Sequence, residues 1–245
     1  MICYIDIEHE KRLEDEEKRS FHLAERADIK RRLEGISGGP CMVQHYSRVT
    51  RQRLRDWGAR ALIVSLNRTD WADYSETDLA EMYHIIRTAE LPMIGLCGGC
   101  QLIALAHGAP LGPIRRLREG EDDPSTDYAP GYFKEWGFVP VRIVQPDPLF
   151  DGLGEEPVFH EEHYWEVKEI PPHFEVLAST DECRIQVIKH VEKLVYGTEF
   201  HPERYTEEQP DGRQLLINFF KLAGILEKGE PPLLEFPDRN QPKSI

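Results

Sequence analysis

Cys97 and His201 are the residues of the 245-residue chain whose type and surroundings could carry covalent chemistry. Cys97 sits in Leu91-Pro92-Met93-Ile94-Gly95-Leu96-Cys97-Gly98-Gly99-Cys100-Gln101, and an apolar run follows it to Gly108. Met93, Ile94 and Leu96 predict a short buried strand. Leu102, Ile103 and Ala106 fall at helical spacing, and Gly108 is a C-terminal stop. A side chain on so sharp a strand-to-helix turn needs small neighbours, because both flanking backbones pass close by. Gly95 to Gly99 therefore has the form of a nucleophile elbow with cysteine in place of serine. The helix N-terminus behind the sulfur favours a thiolate. Such a nucleophile needs a base, and the base needs a group to orient it. Tyr196-Gly197-Thr198-Glu199-Phe200-His201-Pro202-Glu203 supplies both. A strand delivers His201 to its C-terminal end, Pro202 turns the chain, and Glu203 is near enough to bond the ring nitrogen that does not face the sulfur. The chemistry this predicts is acyl transfer through a thioester.

The elements that must position these residues alternate. Residues 1–7 predict a buried strand ending at Asp6. Glu8 to Glu34 is densely charged, with Phe21, Leu23, Ile29 and Leu33 as sparse apolar positions, and reads as a surface helix with one narrow buried stripe. Ser37-Gly38-Gly39-Pro40 is a turn before a strand near 41–46. A short helix (51–59), a strand (61–65) and a helix (76–89) lead into the elbow. This is the pattern of an α/β fold, an open mostly parallel sheet of flavodoxin-like type with helices on both faces. After residue 108 the pattern changes. Gly120 to Pro130 is a polar loop, and strands near 138–144, 156–167, 174–179, 183–189 and 194–200 add an antiparallel region to the C-terminal half. Asp211 to Leu226 closes the fold as an amphipathic helix. One domain over 1–227 and a Pro- and charge-rich tail over 228–245 are expected.

Composition narrows the partners. The formal charge of −14 argues against nucleic acid and anionic membranes, which are polyanions. No apolar run approaches the ~20 residues of a membrane span. Residues 1–7 lack the layout of a signal peptide, and five cysteines, mostly in apolar segments, suggest reduced thiols in a cytoplasmic protein.

Pro92-x-x-Gly95-x-Cys97-x-Gly99-x-Gln101, followed by Phe200-His201-Pro202-Glu203, resembles the class I (triad) glutamine amidotransferase family over roughly residues 1–226. The resemblance implies Cys97 as nucleophile, His201 as general base and Glu203 as its orienter. It also implies Gly98 N–H as an oxyanion donor, Gln101 as a contact to substrate glutamine, and no cofactor or metal. His163-Tyr164-Trp165 lies where the family holds the amino-acid end of the substrate. The second oxyanion donor comes from a glycine-containing loop in the family. Here the loop after the strand at 61–64 is Ser65-Leu66-Asn67-Arg68, which has no glycine, and Leu66 and Asn67 must supply that donor. Ser37-Gly38-Gly39-Pro40 has the family's composition but stands before the wrong strand. The chain shows no phosphate-binding Gly-rich Lys loop of a synthase, so the resemblance implies either ammonia delivery to a separate synthase subunit or a free-standing hydrolase.

Other readings use the same residues. Cys97 to Cys100 alone matches a thioredoxin-type Cys-x-x-Cys, although Gln101 and the Phe-His-Pro-Glu segment favour acyl transfer. A disulfide between the two would silence the nucleophile. A γ-glutamyl peptide or amine hydrolase would use the same triad, and a non-catalytic relative would keep only the fold.

Overall fold

A computed structural model describes residues 1–227; the tail expected over 228–245 lies outside the described residues. Its main sheet has eight strands: β1 (Ile2–Asp6), β2 (Cys41–His45), β3 (Ala61–Val64), β4 (Met93–Leu96), β7 (Arg142–Ile143), β10 (Phe174–Ser179), β11 (Val187–His190) and β12 (Val195–Thr198). Their order is β2-β1-β3-β4-β12-β11-β10-β7. The first five run parallel, and β11, β10 and β7 extend the sheet antiparallel. Two ribbons stand apart from it: β5 (Leu111–Pro113) with β9 (Trp165–Val167), and β6 (Glu135–Pro140) with β8 (Val158–His163). The α/β sheet and the added antiparallel region match the sequence expectation.

Both faces are covered, as a central parallel sheet requires. On one face, Cys3, Ile5, Leu62 and Val64 pack against α3 (Arg51–Asp56), α4 (Glu76–Thr88) and α5 (Gly98–Ala106) through Leu54, Met82, Ile86 and Ile103. On the other, Ile2, Tyr4, Ile63 and Ile94 pack against α2 (Glu16–Ser37) and α6 (Asp211–Leu222) through Leu33, Ile36, Leu216 and Phe220. Alternate strand residues thus feed two separate cores, the consequence of period-two side-chain direction.

The segment read as one helix from Glu8 is two, α1 (Glu10–Leu13) and α2. The break falls where the Asp15 carboxylate accepts the Lys18 N–H at 2.9 Å as an N-cap. The stripe also differs from expectation. Ile29 and Leu33 are buried, but Phe21 and Leu23 are each 60% exposed. His22 and Arg26 instead continue the stripe toward the C-terminal end of β1, where Asp6 receives them. Charge in phase with an apolar stripe marks the end of the helix nearest the site.

Away from the site, His107 follows α5 and packs edge-on against Phe174, with centroids 4.9 Å apart. Burial, reinforced by His190, Lys193 and Arg87, pushes its imidazole down to about 4 from the usual 6.5. Because the folded state holds this proton less tightly than the unfolded chain, its neutral form contributes full stability above pH 6.5. That contribution is lost as pH falls through 4. His107→Phe should therefore gain stability relative to wild type as pH drops from 7 to 4, read by urea unfolding at both values. A difference independent of pH would contradict this.

Candidate active site

The parallel strands converge on Cys97. It takes φ 50°, ψ −106°, a strained conformation for a non-glycine residue, between the end of β4 and the start of α5. Its N–H is held by Thr198 O at 2.7 Å, on the adjacent β12. A Cβ on Gly98 would overlap the Asn67 side chain, and one on Gly99 would overlap the Val64 carbonyl. The glycines after Cys97 thus allow the β3 loop and the helix N-terminus to approach each other. Cys100 lies one helical turn on, fully buried, with its sulfur packed against Gly197 of β12. Burial raises its thiol well above the usual range.

His201 follows β12, with its N–H bonded to His160 O at 2.8 Å. Its Nδ1 and Glu203 Oε1 are 2.9 Å apart, and Pro202 starts the 3-10 turn that folds Glu203 back. The same ring and the Cys97 sulfur line one cavity. His201 and Glu203 are 2% and 1% exposed, so water hardly screens the pair. Burial opposes charge on the imidazole, but Glu203 and Cys97 outweigh it and hold the ring up to about 10. A sulfur beside an imidazole that a carboxylate orients can exchange a proton with a leaving group through that ring.

The loop opposite Cys97 is fixed by groups absent from the sequence reading. Ser65 Oγ accepts Ile7 N–H at 2.9 Å and donates to Leu66 O at 2.7 Å; Arg26 Nη2 also donates to Leu66 O. Glu8 is fully buried. Its carboxylate accepts Arg68 N–H at 2.9 Å, Thr69 N–H at 3.1 Å and the Thr69 hydroxyl at 2.7 Å. Asn67 Nδ2 closes a local turn onto Thr69 O at 2.7 Å, leaving the Asn67 backbone N beside Gly98. A carboxylate tied to backbone thus fixes the loop that carries no glycine. Arg68 is paired bidentately with Glu25 of α2, at 2.8 and 2.9 Å, and Glu25 also meets Arg204. The sequence signal for this network was weak. Only His22 and Arg26, in phase with Ile29 and Leu33, could have announced it.

Two cavities open beside Cys97. One, of about 220 Å³, is lined by Asn67, Asp70, Trp71, Gln101, Tyr164 and Trp165. The other, of about 250 Å³, lies on the His201 side. Asn67, Arg68, Cys97 and Tyr128 line both. Tyr128 belongs to the polar loop at 120–130, which is fastened by Asp123 to Lys134 at 2.6 Å and by Arg115 to Glu121 at 2.6 Å.

Gln101 borders the first cavity, but its amide is spent on protein. Nε2 donates to Glu199 at 2.9 Å and to Trp165 O at 3.1 Å, and Oε1 accepts Trp71 Nε1–H at 2.8 Å. It braces the wall. His163, Tyr164 and Trp165 all line the cavity, and the His163 ring nitrogens are also engaged in a buried cluster. His163 Nδ1 is 2.7 Å from Trp165 O, and Nε2 is 3.0 Å from Glu135 and 3.2 Å from Glu161. Burial disfavours the imidazolium, but these carboxylates raise His163 well above its usual value. Burial in turn pushes the Glu161 and Glu199 carboxyls up to about 7. Glu135, His163 and Cys183 offer ligand atoms within 4.8 Å of one another. Glu135 nevertheless already accepts from Thr180, Gln186 and His163, so an ion pair occupies the grouping.

No helix among the described residues is long and apolar enough to cross a membrane. The chain is 38% identical over 137 residues to the glutamine-hydrolyzing GMP synthase subunit of Pyrococcus abyssi, covering 56% of this chain and 62% of that relative. The chain thus spans less than two thirds of that relative's length. The same subunit of Archaeoglobus fulgidus is 29% identical over 192 residues, covering 73% and 93%. A crystal structure from Thermoplasma acidophilum, assigned to the corresponding GMP synthase subunit, shares the fold with a TM-score of 0.63. It is 22% identical and the match covers 91% of this chain and 94% of that one. Residues 71–223, which hold the elbow, the His201 turn and α6, match the family Glutamine amidotransferase class-I. The fold, the elbow and this match over more than half of the chain agree: the protein belongs to the class-I glutamine amidotransferases.

Proposed function

We propose that the chain is the glutamine-hydrolysing subunit of an amidotransferase, with Cys97, His201 and Glu203 as its catalytic residues. The observation that carries this is Cys97 on a strained elbow, lining one cavity with a His201 ring that Glu203 holds at 2.9 Å and opening on another of about 220 Å³. Substrate glutamine lies with its amino-acid end toward Tyr164 and Trp165. The Cys97 sulfur attacks the γ-carbonyl carbon, and Gly98 N–H and Asn67 N–H receive the oxyanion. The C–N bond breaks as His201 delivers its proton to the leaving nitrogen, which departs as ammonia. Water then attacks the thioester, losing its proton to His201, and releases glutamate and Cys97. Glu203 keeps the imidazole oriented and stabilises its charged form.

The similarity to the glutamine-hydrolyzing GMP synthase subunit of Pyrococcus abyssi supports an ammonia acceptor on a separate synthase subunit. Five unpaired buried cysteines fit a reducing, cytoplasmic setting. Ammonia and glutamate should appear in equal amounts from glutamine, faster when a synthase subunit from the same genome is added. Ammonia release in neither condition would overturn the reading.

A further inference from the structure

The Gln101 amide is not free to hold substrate, because Glu199, Trp165 and Trp71 engage both its N–H groups and its oxygen. The cavity of about 220 Å³ beside Cys97 must therefore read the amino-acid end of glutamine with other groups. That end carries an ammonium, which loses hydration without return unless an anion or a carbonyl meets it.

Three residues lining this cavity can carry charge: Arg68, Asp70 and His163. Arg68 is paired with Glu25, and His163 lies between Glu135 and Glu161. Asp70 has no ion-pair partner among the described residues. One of its carboxylate oxygens accepts the Ala72 N–H at 2.9 Å and caps the 3-10 turn Trp71–Asp73, which fixes the side chain. The other makes no hydrogen bond among the described residues.

This turn is anchored on both sides. The Thr69 hydroxyl donates to Glu8, and Trp71 Nε1 donates to Gln101, whose Nε2 reaches Trp165 O. Gln101 thus ties the wall that carries Asp70 to the wall that carries Tyr164 and Trp165. Burial raises the Tyr164 phenol and the Asp70 charge raises it further, so the carboxylate acts across the space between the walls. A carboxylate held in place with one oxygen uncommitted fits an ammonium.

We propose that Asp70 is the specificity-determining residue that receives the α-ammonium of the substrate, so that the site takes γ-carboxamides of free amino acids and discriminates against those without the amine. The inference rests on glutamine occupying this cavity as proposed above. No bond forms or breaks at Asp70, so it acts on binding rather than on the chemical step. Asp70 is exposed, and water weakens an exposed pair, so its effect is moderate.

The test titrates the full-length Cys97→Ala protein by calorimetry with glutamine and with glutaramate, which keeps the carboxamide and the carboxylate but lacks the amine. Glutamine should bind at least tenfold more tightly. Asparagine caps a turn as well as aspartate does, so Asp70→Asn should leave the Trp71–Asp73 turn in place. In the same background, it should weaken glutamine at least fivefold and change glutaramate less than twofold. With Cys97 present, Asp70→Asn should raise KM for glutamine by a similar factor, with kcat falling no more than threefold. Absence of glutamine binding, equal affinity for the two ligands, or an Asp70→Asn effect that is absent or the same for both overturns the proposal. The predicted binding pattern without ammonia release from the protein that retains Cys97 would support it while overturning hydrolysis.

Discussion

Cys97→Ala is expected to lower glutamine hydrolysis by roughly 10⁴-fold or more, the scale on which loss of a covalent nucleophile acts. Alanine keeps the small side chain that the elbow accommodates, so the helix and the adjacent Gly98 and Gly99 contacts should persist. What disappears is the atom that forms the thioester. Cys100→Ala is the matched control. Its sulfur packs on Gly197 and burial holds the thiol in its neutral form, so activity should stay within a few-fold of wild type. The reverse pattern, with Cys100 essential and Cys97 dispensable, would point to the wrong cysteine. Glu203→Gln should cost on the order of 10²- to 10⁴-fold, because a neutral amide no longer stabilises the charged imidazole or selects its orientation. Steady-state ammonia release measures all three.

The second large effect is expected at a residue that touches no substrate. Glu8→Ala removes the acceptor of two backbone N–H groups and one hydroxyl in the loop facing Cys97. Leaving buried donors unpaired costs about 1–3 kcal/mol each, so the loop should rearrange rather than remain in place. The Asn67 N–H then leaves its position beside Gly98. An oxyanion donor acts in the transition state more than in the bound ground state. Accordingly kcat should fall by roughly 10²- to 10³-fold while KM for glutamine changes little. Glu8→Gln retains one acceptor oxygen and should fall between the two. Unchanged kcat per folded molecule of Glu8→Ala, measured beside its melting temperature, would mean that Glu8 serves stability alone.

The parts of the molecule legible in the sequence are those with local signals. Met93 to Leu96 and Ala61 to Val64 are continuous apolar runs, and such runs predict buried parallel strands without knowledge of their neighbours. The elbow announces itself because the chain has two glycines immediately after Cys97, where two backbones must approach. The His201–Glu203 contact spans two residues and follows from the turn that Pro202 imposes.

The loop at 65–69 shows the opposite case. Nothing in Leu66-Asn67-Arg68 indicates that Glu8, some sixty residues earlier, holds its N–H groups. Likewise, Phe21 and Leu23 suggested a buried stripe by their hydrophobicity. The helix rotates them outward because Asp6 binds His22 and Arg26 from the strand end. Long-range polar pairing overrode the apolar count at both places. Gln101 carries the family's spacing, yet its role as a brace between Trp71 and Glu199 depends on two residues distant in the chain.

The central claim is that Cys97 is the residue whose sulfur takes the acyl group. The most direct measurement treats the protein with a glutamine-analogue electrophile and locates the adduct by peptide mass spectrometry. A single modification on the peptide carrying Cys97, blocked by excess glutamine and absent in Cys97→Ala, is the expected result. Modification of Cys100 instead, or no adduct with or without a synthase subunit, would contradict the account.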